Sequence, residues 1–377
     1  MTSAPVVCGS VSRLKDIVRT ANPSSILLIT GGASYDSSGA EPAVRAAVDG
    51  VPVTHIRGVA PNPTLEDVDD AIAVYREASP GMVIAIGGGS VIDVAKIIRS
   101  VAPHAPTARN HALGSEPIQT SSVPLVAIPT TAGTGSEATH FAVVYVDGSK
   151  HSISDRSLIP EHVILDPELT YSMPPSVTAT TGLDALCQGI ESIWSVRSTD
   201  ASRGPAERAV ALGVEHLESA VAHPAPMSRT GMLEAAHLAG MAIDVTYTTG
   251  PHALSYALTS TFGIPHGNAV ALTLGAFIEY NACVTESDCI DERGTDHVRS
   301  AVDTVVQLLG GRDPGSARER FNAIVVGCNA IASLSDIPAP AAGVRRTLVE
   351  GVNLERLANN PRRLTPQSLE ELIDTMV

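Results

Sequence analysis

The chain changes its hydrophobic rhythm once, at Pro174-Pro175, and that change limits the folds open to it. Before it, short β-branched runs alternate with amphipathic helical patterns. Residues 25–30, 51–56 and 81–86 read as strands, 64–78 and 91–101 as helices, and 123–128, 141–146 and 162–166 as further strands. Alternation of this kind predicts a mostly parallel sheet with helices on both faces. Ligands in such sheets bind beyond the carboxyl ends of the strands. After the prolines the patterns are long, Ala- and Leu-rich and helical, with Pro or Gly stops. The expected architecture is an α/β nucleotide-binding domain over residues 1–172 followed by an all-helical domain over 173–377. No internal repeat is visible, and residues 312–316 read as a loop.

Composition narrows the class. A chain of 377 residues can bury two cores of ordinary size. With 44% hydrophobic and only 17% charged residues, it is not a disordered chain. Its apolar segments are broken too often to cross a bilayer, so no membrane partner is expected. The opening Met1-Thr-Ser-Ala-Pro-Val-Val has no basic stretch before an apolar core, and no secretory signal is expected. Five cysteines, an odd number without CxxC spacing, point to a reduced, cytoplasmic setting. A net charge of −15 argues against nucleic acid as a partner, while a local basic group could still meet an anionic substrate.

Two segments carry chemistry. Gly87-Gly-Gly-Ser-Val-Ile-Asp93 follows an apolar strand, so Gly87, Gly88 and Gly89 can bring backbone amides close to an anion. The helix beginning near Ser90 would point its positive end at that anion. A plain strand-to-helix turn is the alternative reading of this segment alone. The loop Pro129-Thr-Thr-Ala-Gly-Thr-Gly-Ser-Glu137 strengthens the cradle, because Thr130, Thr131, Thr134 and Ser136 offer hydroxyls and amides after another strand.

The second constellation is a carboxylate and two imidazoles. Asp184 stands in an otherwise apolar helical run, with Gln188 one turn later on the same face. His252 and His266 follow downstream. One carboxylate and two imidazoles suit a divalent transition metal, and a set with open positions is the kind Fe(II) favours. His140 and His237 stand alone in apolar surroundings and read as structural.

Together the glycine cradle, the Asp184 helix and the run from Gly250 to Asn268 resemble the iron-containing (group III) alcohol dehydrogenases, over roughly residues 25–281. The resemblance implies a dehydroquinate synthase-like architecture and metal-dependent, NAD(P)H-linked reduction of a small aldehyde to a primary alcohol. It implies Asp184, His252 and His266 as ligands of Fe(II), with Zn(II) as the alternative ion. Gln188 stands where the family commonly has histidine; its amide oxygen could complete the shell or a water could stand in its place, giving a working but looser iron site, a shifted metal preference or a vestigial site. Tyr256 stands where many relatives carry another histidine near the nicotinamide, so it either relays a proton or walls the pocket. The first strand ends in Gly31 and Gly32 with no acidic residue to bind a ribose 2′-hydroxyl, which leaves NADPH open beside NADH. Asp93 and Lys150 complete the residues expected to serve the cofactor.

The segments around Asp184 and His252 are most similar to the branch of phosphonoacetaldehyde reductases, which make 2-hydroxyethylphosphonate in phosphonate natural-product biosynthesis. Tyr247 and Asn268 depart from that branch, where Lys and His are frequent. A phosphonate would need basic partners, and Arg197 and Arg156 are the candidates. The alternatives are an iron-dependent reductase of another small aldehyde or ketone, or a non-redox enzyme of the dehydroquinate synthase kind. Apolar C-terminal helices leave a homodimer open.

Overall fold

The computed structural model describes residues 6–376. Its contacts divide the chain into Met1–Met173 and Pro174–Val377. In the first unit, strands β1 (Val6–Cys8), β2 (Ile26–Thr30), β3 (Val53–Arg57), β4 (Met82–Gly87), β5 (Leu125–Pro129) and β8 (His162–Ile164) form one sheet in the order β1-β8-β5-β4-β2-β3. Every pairing is parallel, with Ile26 beside Met82 and Val83 beside Leu125.

The sheet is covered on both faces, and the strand period of two explains how. Leu27, Ile29, Val83, Ala85, Leu125 and Ala127 point to one core, with helices α1 (Leu65–Ala78) and α2 (Gly89–Val101). Ile26, Leu28, Met82, Ile84, Val126 and Ile128 point to the other, packed by helices Leu14–Ala21 and Glu41–Ala47. Thr64 and Asp67 begin α1 with reciprocal side-chain to backbone bonds.

Strands β6 (Phe141–Val146) and β7 (Ser149–Ser154) form a separate antiparallel ribbon rather than joining the parallel sheet. Residues 149–154 are too polar, Ser-Lys-His-Ser-Ile-Ser, to read as a strand. Residues 312–316 are no idle loop either. Asp313 and Ser316 form the capping box that opens helix Pro314–Gly327.

The second unit is helical. Helix α3 (Pro175–Trp194) runs through its middle and is buried along nearly all of its last four turns. Helices α4 (Asp200–Ala222), α5 (Pro226–Thr246) and α7 (His266–Ala282) pack against it, and α6 (Gly250–Phe262) packs on α7. Prolines stand in the first turns of α3, α5 and α6, where a missing N–H costs nothing. Among the described residues no helix is long and apolar enough to cross a membrane.

Candidate metal centre and nucleotide cradle

The second unit brings Asp184, His252 and His266 together. Their ligand atoms lie within 4.8 Å of one another, with Asp184 and His252 buried and His266 half-buried. Asp184 comes from the middle of α3, His252 from the first turn of α6, and His266 opens α7. The two imidazoles meet edge to face at 5.3 Å between ring centres, and Tyr256 stacks on His266 at 5.9 Å. Gly267 explains how α7 comes so close to α3. A Cβ there would lie 1.9 Å from the Thr180 carbonyl oxygen and 2.9 Å from the Asp184 amide. Only a glycine lets the helix carrying His266 start against the carboxylate helix.

One residue absent from the sequence-based site holds this arrangement. Glu191, fully buried two turns after Asp184 on α3, hydrogen-bonds Nδ1 of His252 across 61 residues of chain. It also accepts from the Thr249 amide at 2.8 Å and the Thr249 hydroxyl at 3.0 Å. With Nδ1 engaged, Nε2 of His252 turns to Asp184 at 3.3 Å. A carboxylate behind a ligating histidine fixes its tautomer and orientation. Burial by itself would lower the His252 pKa, but Glu191 and Asp184 outweigh it, and the value is pushed up to about 10. The pair of carboxylates therefore demands a cation at this imidazole, a proton or a metal ion. The position seven residues after Asp184, a carboxylate on the same face of an apolar helix, was the signal in the sequence.

Gln188 supplies a second reason to place an ion here. It is 5% exposed, and its Oε1 is buried with no hydrogen-bond partner among the described residues. An unmatched buried amide oxygen costs about 1–3 kcal/mol, and such atoms in native proteins call for an explanation such as an ion. A divalent cation fits the donor set of Asp184, Gln188, His252 and His266. The neighbouring Cys187 thiol is pushed well up by burial, with Glu191 and Asp184 adding to it, so it stays protonated.

In the first unit, β4 runs through Gly87 into α2, and the β5 loop lies beside it, with the Thr130 amide donating to the Gly87 carbonyl at 2.9 Å. A Cβ at Gly89 would come within 2.7 Å of the Thr134 hydroxyl. Thr131 borders Gly88, and Ser90 accepts from the Asn62 amide at 3.2 Å. The Thr130 hydroxyl is buried without a partner among the described residues. Asp93 and Ser136 serve the scaffold: the Ser136 hydroxyl donates to the Asp93 carboxylate, which also accepts from the Val143 amide at 3.0 Å. Burial raises the Asp93 pKa, opposed by Lys96, these two bonds and Lys150. Lys150 itself is exposed on β7. Gly31 and Gly32 follow β2, and the acid just beyond them, Asp36, is held by Arg57 at 2.5 Å.

The other candidates separate. Arg156 is exposed in a short turn of the first unit, whereas Arg197 belongs to the second. Arg197 lies over the Tyr247 ring at 4.7 Å, and Arg356, which no motif marks, lies over the same ring at 5.3 Å. Tyr247 adopts a φ of 55°, a strained conformation for a bulky side chain, at the end of α5 and five residues before His252. Asn268 is engaged elsewhere, bonding the backbone of Ile331 through both ends of its amide. His140 and His237 are buried and do not join this ligand set.

Comparison with known proteins bears on the same residues. Residues 5–167 match the family described as iron-containing alcohol dehydrogenase, and 178–377 match the C-terminal part of that family. A phosphonoacetaldehyde reductase of Streptomyces viridochromogenes is 38% identical over 325 residues, covering 82% of this chain and 80% of the relative. A choline dehydrogenase of Bacillus subtilis is 33% identical over 72% of this chain and 69% of its own. Among solved structures, a sulfoacetaldehyde reductase of Bifidobacterium kashiwanohense in complex with NAD+ superposes with a TM-score of 0.86 at 30% identity, covering 100% of this chain and 98% of the other. With both halves matched and the ligand cluster assembled in the second, the chain belongs to the iron-containing alcohol dehydrogenase family.

Proposed function

We propose that this iron-dependent, NAD(P)-linked oxidoreductase of small aldehydes and alcohols reduces phosphonoacetaldehyde to 2-hydroxyethylphosphonate, a step in phosphonate natural-product biosynthesis. The observation that carries the reading is the stack of Arg197 and Arg356 on Tyr247, on the connection that leads into His252. Two guanidiniums sharing one ring repel each other, and a tetrahedral anion offers both a charge-assisted partner. Similarity to reductases of phosphonoacetaldehyde and of sulfoacetaldehyde supports it, since both names describe aldehydes bearing a strong-acid group.

Asp184, His252, His266 and Gln188 would hold the ion. When bound, the ion supplies Lewis-acid polarisation of a carbonyl oxygen, and the nicotinamide supplies hydride. Glu191 keeps Nε2 of His252 turned towards the ligand cluster. Tyr256, one turn after His252 on α6, packs on His266 and carries a hydroxyl proton for the nascent alkoxide. Gly87, Gly88, Gly89, Thr130, Thr131 and Thr134 bind the dinucleotide phosphates. The glycines after β2, with Asp36 engaged by Arg57, support NADPH beside NADH.

The test is oxidation of NADPH and NADH by Fe(II)-loaded protein with phosphonoacetaldehyde, sulfoacetaldehyde and propanal. Phosphonoacetaldehyde should exceed propanal in kcat/KM by about 100-fold, since hydrogen bonds to charged groups contribute about 1.5–3 kcal/mol each. Arg197→Ala and Arg356→Ala should erase most of that margin through KM and leave propanal unchanged. Equal rates on propanal would remove the anionic substrate; a preference for sulfoacetaldehyde would transfer the site to a monoanion.

A further inference from the structure

We propose that Gln188 coordinates the metal through its amide oxygen, making a site of two oxygens and two imidazoles that binds Mn(II), relative to Zn(II), better than a three-imidazole site would. The proposal rests on the metal dependence of the enzyme and is independent of the substrate assigned above.

The placement of Gln188 follows from its neighbours on α3. Asp184 reaches Nε2 of His252, and Glu191 reaches Nδ1 of the same ring. The imidazole thus lies along the helix from residue 184 to residue 191, and residue 188 stands between them on that face. Glu191 is not available as a ligand, because one of its oxygens takes the Thr249 amide and hydroxyl and the other takes the His252 ring. Among the described residues only Asp184, His252 and His266 join the cluster from the histidines, cysteines and carboxylates. Gln188 is the remaining donor on the face, and its oxygen is buried with nothing to accept from among the described residues. A cation beside Asp184 satisfies it.

An amide oxygen is neutral and hard. Imidazole suits zinc, copper and iron, whereas carbonyl and carboxylate oxygens suit manganese and magnesium. Exchanging one imidazole for an amide oxygen narrows the lead that zinc normally holds over manganese. The centre becomes one in which an abundant zinc pool displaces Mn(II) less readily.

The experiment uses the full chain, stripped with chelator and titrated anaerobically with Mn(II), Fe(II) and Zn(II) by equilibrium dialysis, without nucleotide or substrate. Gln188→His should tighten Zn(II) about tenfold more than Mn(II), and Gln188→Leu should weaken Mn(II) by about tenfold or more. Gln188→Glu, which keeps an oxygen donor, should retain the wild-type ranking of Mn(II) against Zn(II). The Co(II)-loaded protein should change its visible absorption in Gln188→His, as a nitrogen replaces an oxygen donor. Circular dichroism of each apo variant separates loss of a ligand from loss of the fold. Wild-type affinities in a folded Gln188→Leu protein, or equal tightening of Zn(II) and Mn(II) with an unchanged Co(II) spectrum in Gln188→His, would overturn the proposal. Failure of phosphonoacetaldehyde as a substrate touches none of these readouts.

Discussion

The nucleotide cradle and the metal centre hold charged groups by opposite means. The cradle is built from two short runs, Gly87 to Ser90 and Thr130 to Ser136, that leave adjacent parallel strands β4 and β5. Its binding atoms are backbone amides and hydroxyls, and Gly87 and Gly89 are there because Val91 and Thr134 leave no room for a Cβ. The metal centre takes single side chains from three helices, with Asp184 and His252 separated by 68 residues. A backbone cradle fixes the charge it binds and little else, whereas a side-chain centre can be retuned by one substitution. Gln188, an amide where the resemblance implies an imidazole, stands at such a position.

That difference can be tested by asking whether the two sites fail separately. His266→Ala has the largest expected effect: loss of the ion and a fall in kcat/KM of about a thousandfold, because Lewis-acid assistance is worth several kcal/mol and each ~1.4 kcal/mol is tenfold. Nucleotide affinity, read by fluorescence titration, should stay unchanged, and turnover surviving in a metal-free variant would remove the centre from the chemistry. Glu191→Gln comes next. It should cost about 10–100-fold in metal affinity while sparing the ligands themselves; equal affinity by dialysis would reduce Glu191 to packing. Gly89→Ala is smallest, raising KM for the nicotinamide cofactor about tenfold, or ~1.4 kcal/mol, with the ion content by mass spectrometry unaltered. Ion loss in that variant would show that the two sites are not independent.

The same contrast governs what could be read in the sequence. Strands β2, β4 and β5 are buried on both faces and so appear as unbroken apolar runs, displaced by only a residue or two from their sequence-based bounds. Asp184, His252 and His266 were legible because metal coordination demands particular residue types. Arg356 was not, since its role lies in a long-range contact with Tyr247 that no local spacing encodes, and the spacing of Glu191 from Asp184 marks its helix face but not its distant partners Thr249 and His252. Asn268 was hidden for the same reason, as its partner is the backbone of Ile331. The β6–β7 ribbon escaped because its second strand is polar and its pairing is local, so neither hydrophobicity nor alternation announced it.

The buried carboxylate of Glu191 belongs to a larger knot. Trp194 donates to the Thr249 hydroxyl at 3.0 Å, the Thr246 hydroxyl bonds Ser192 at 2.9 Å, and Ser195 donates to the Thr246 carbonyl at 2.8 Å. Three residues of α3, with Ser195 that caps it, are thereby stitched to the corner that carries His252 into position. The entropy of ordering that imidazole is lost when the protein folds, not when an ion arrives. Metal uptake should then be quick and local, and amide hydrogen exchange over residues 246–252 should be nearly as slow in the stripped protein as in the loaded one. An enzyme so arranged can lose its ion in scarcity, keep its shape, and resume work as soon as supply returns.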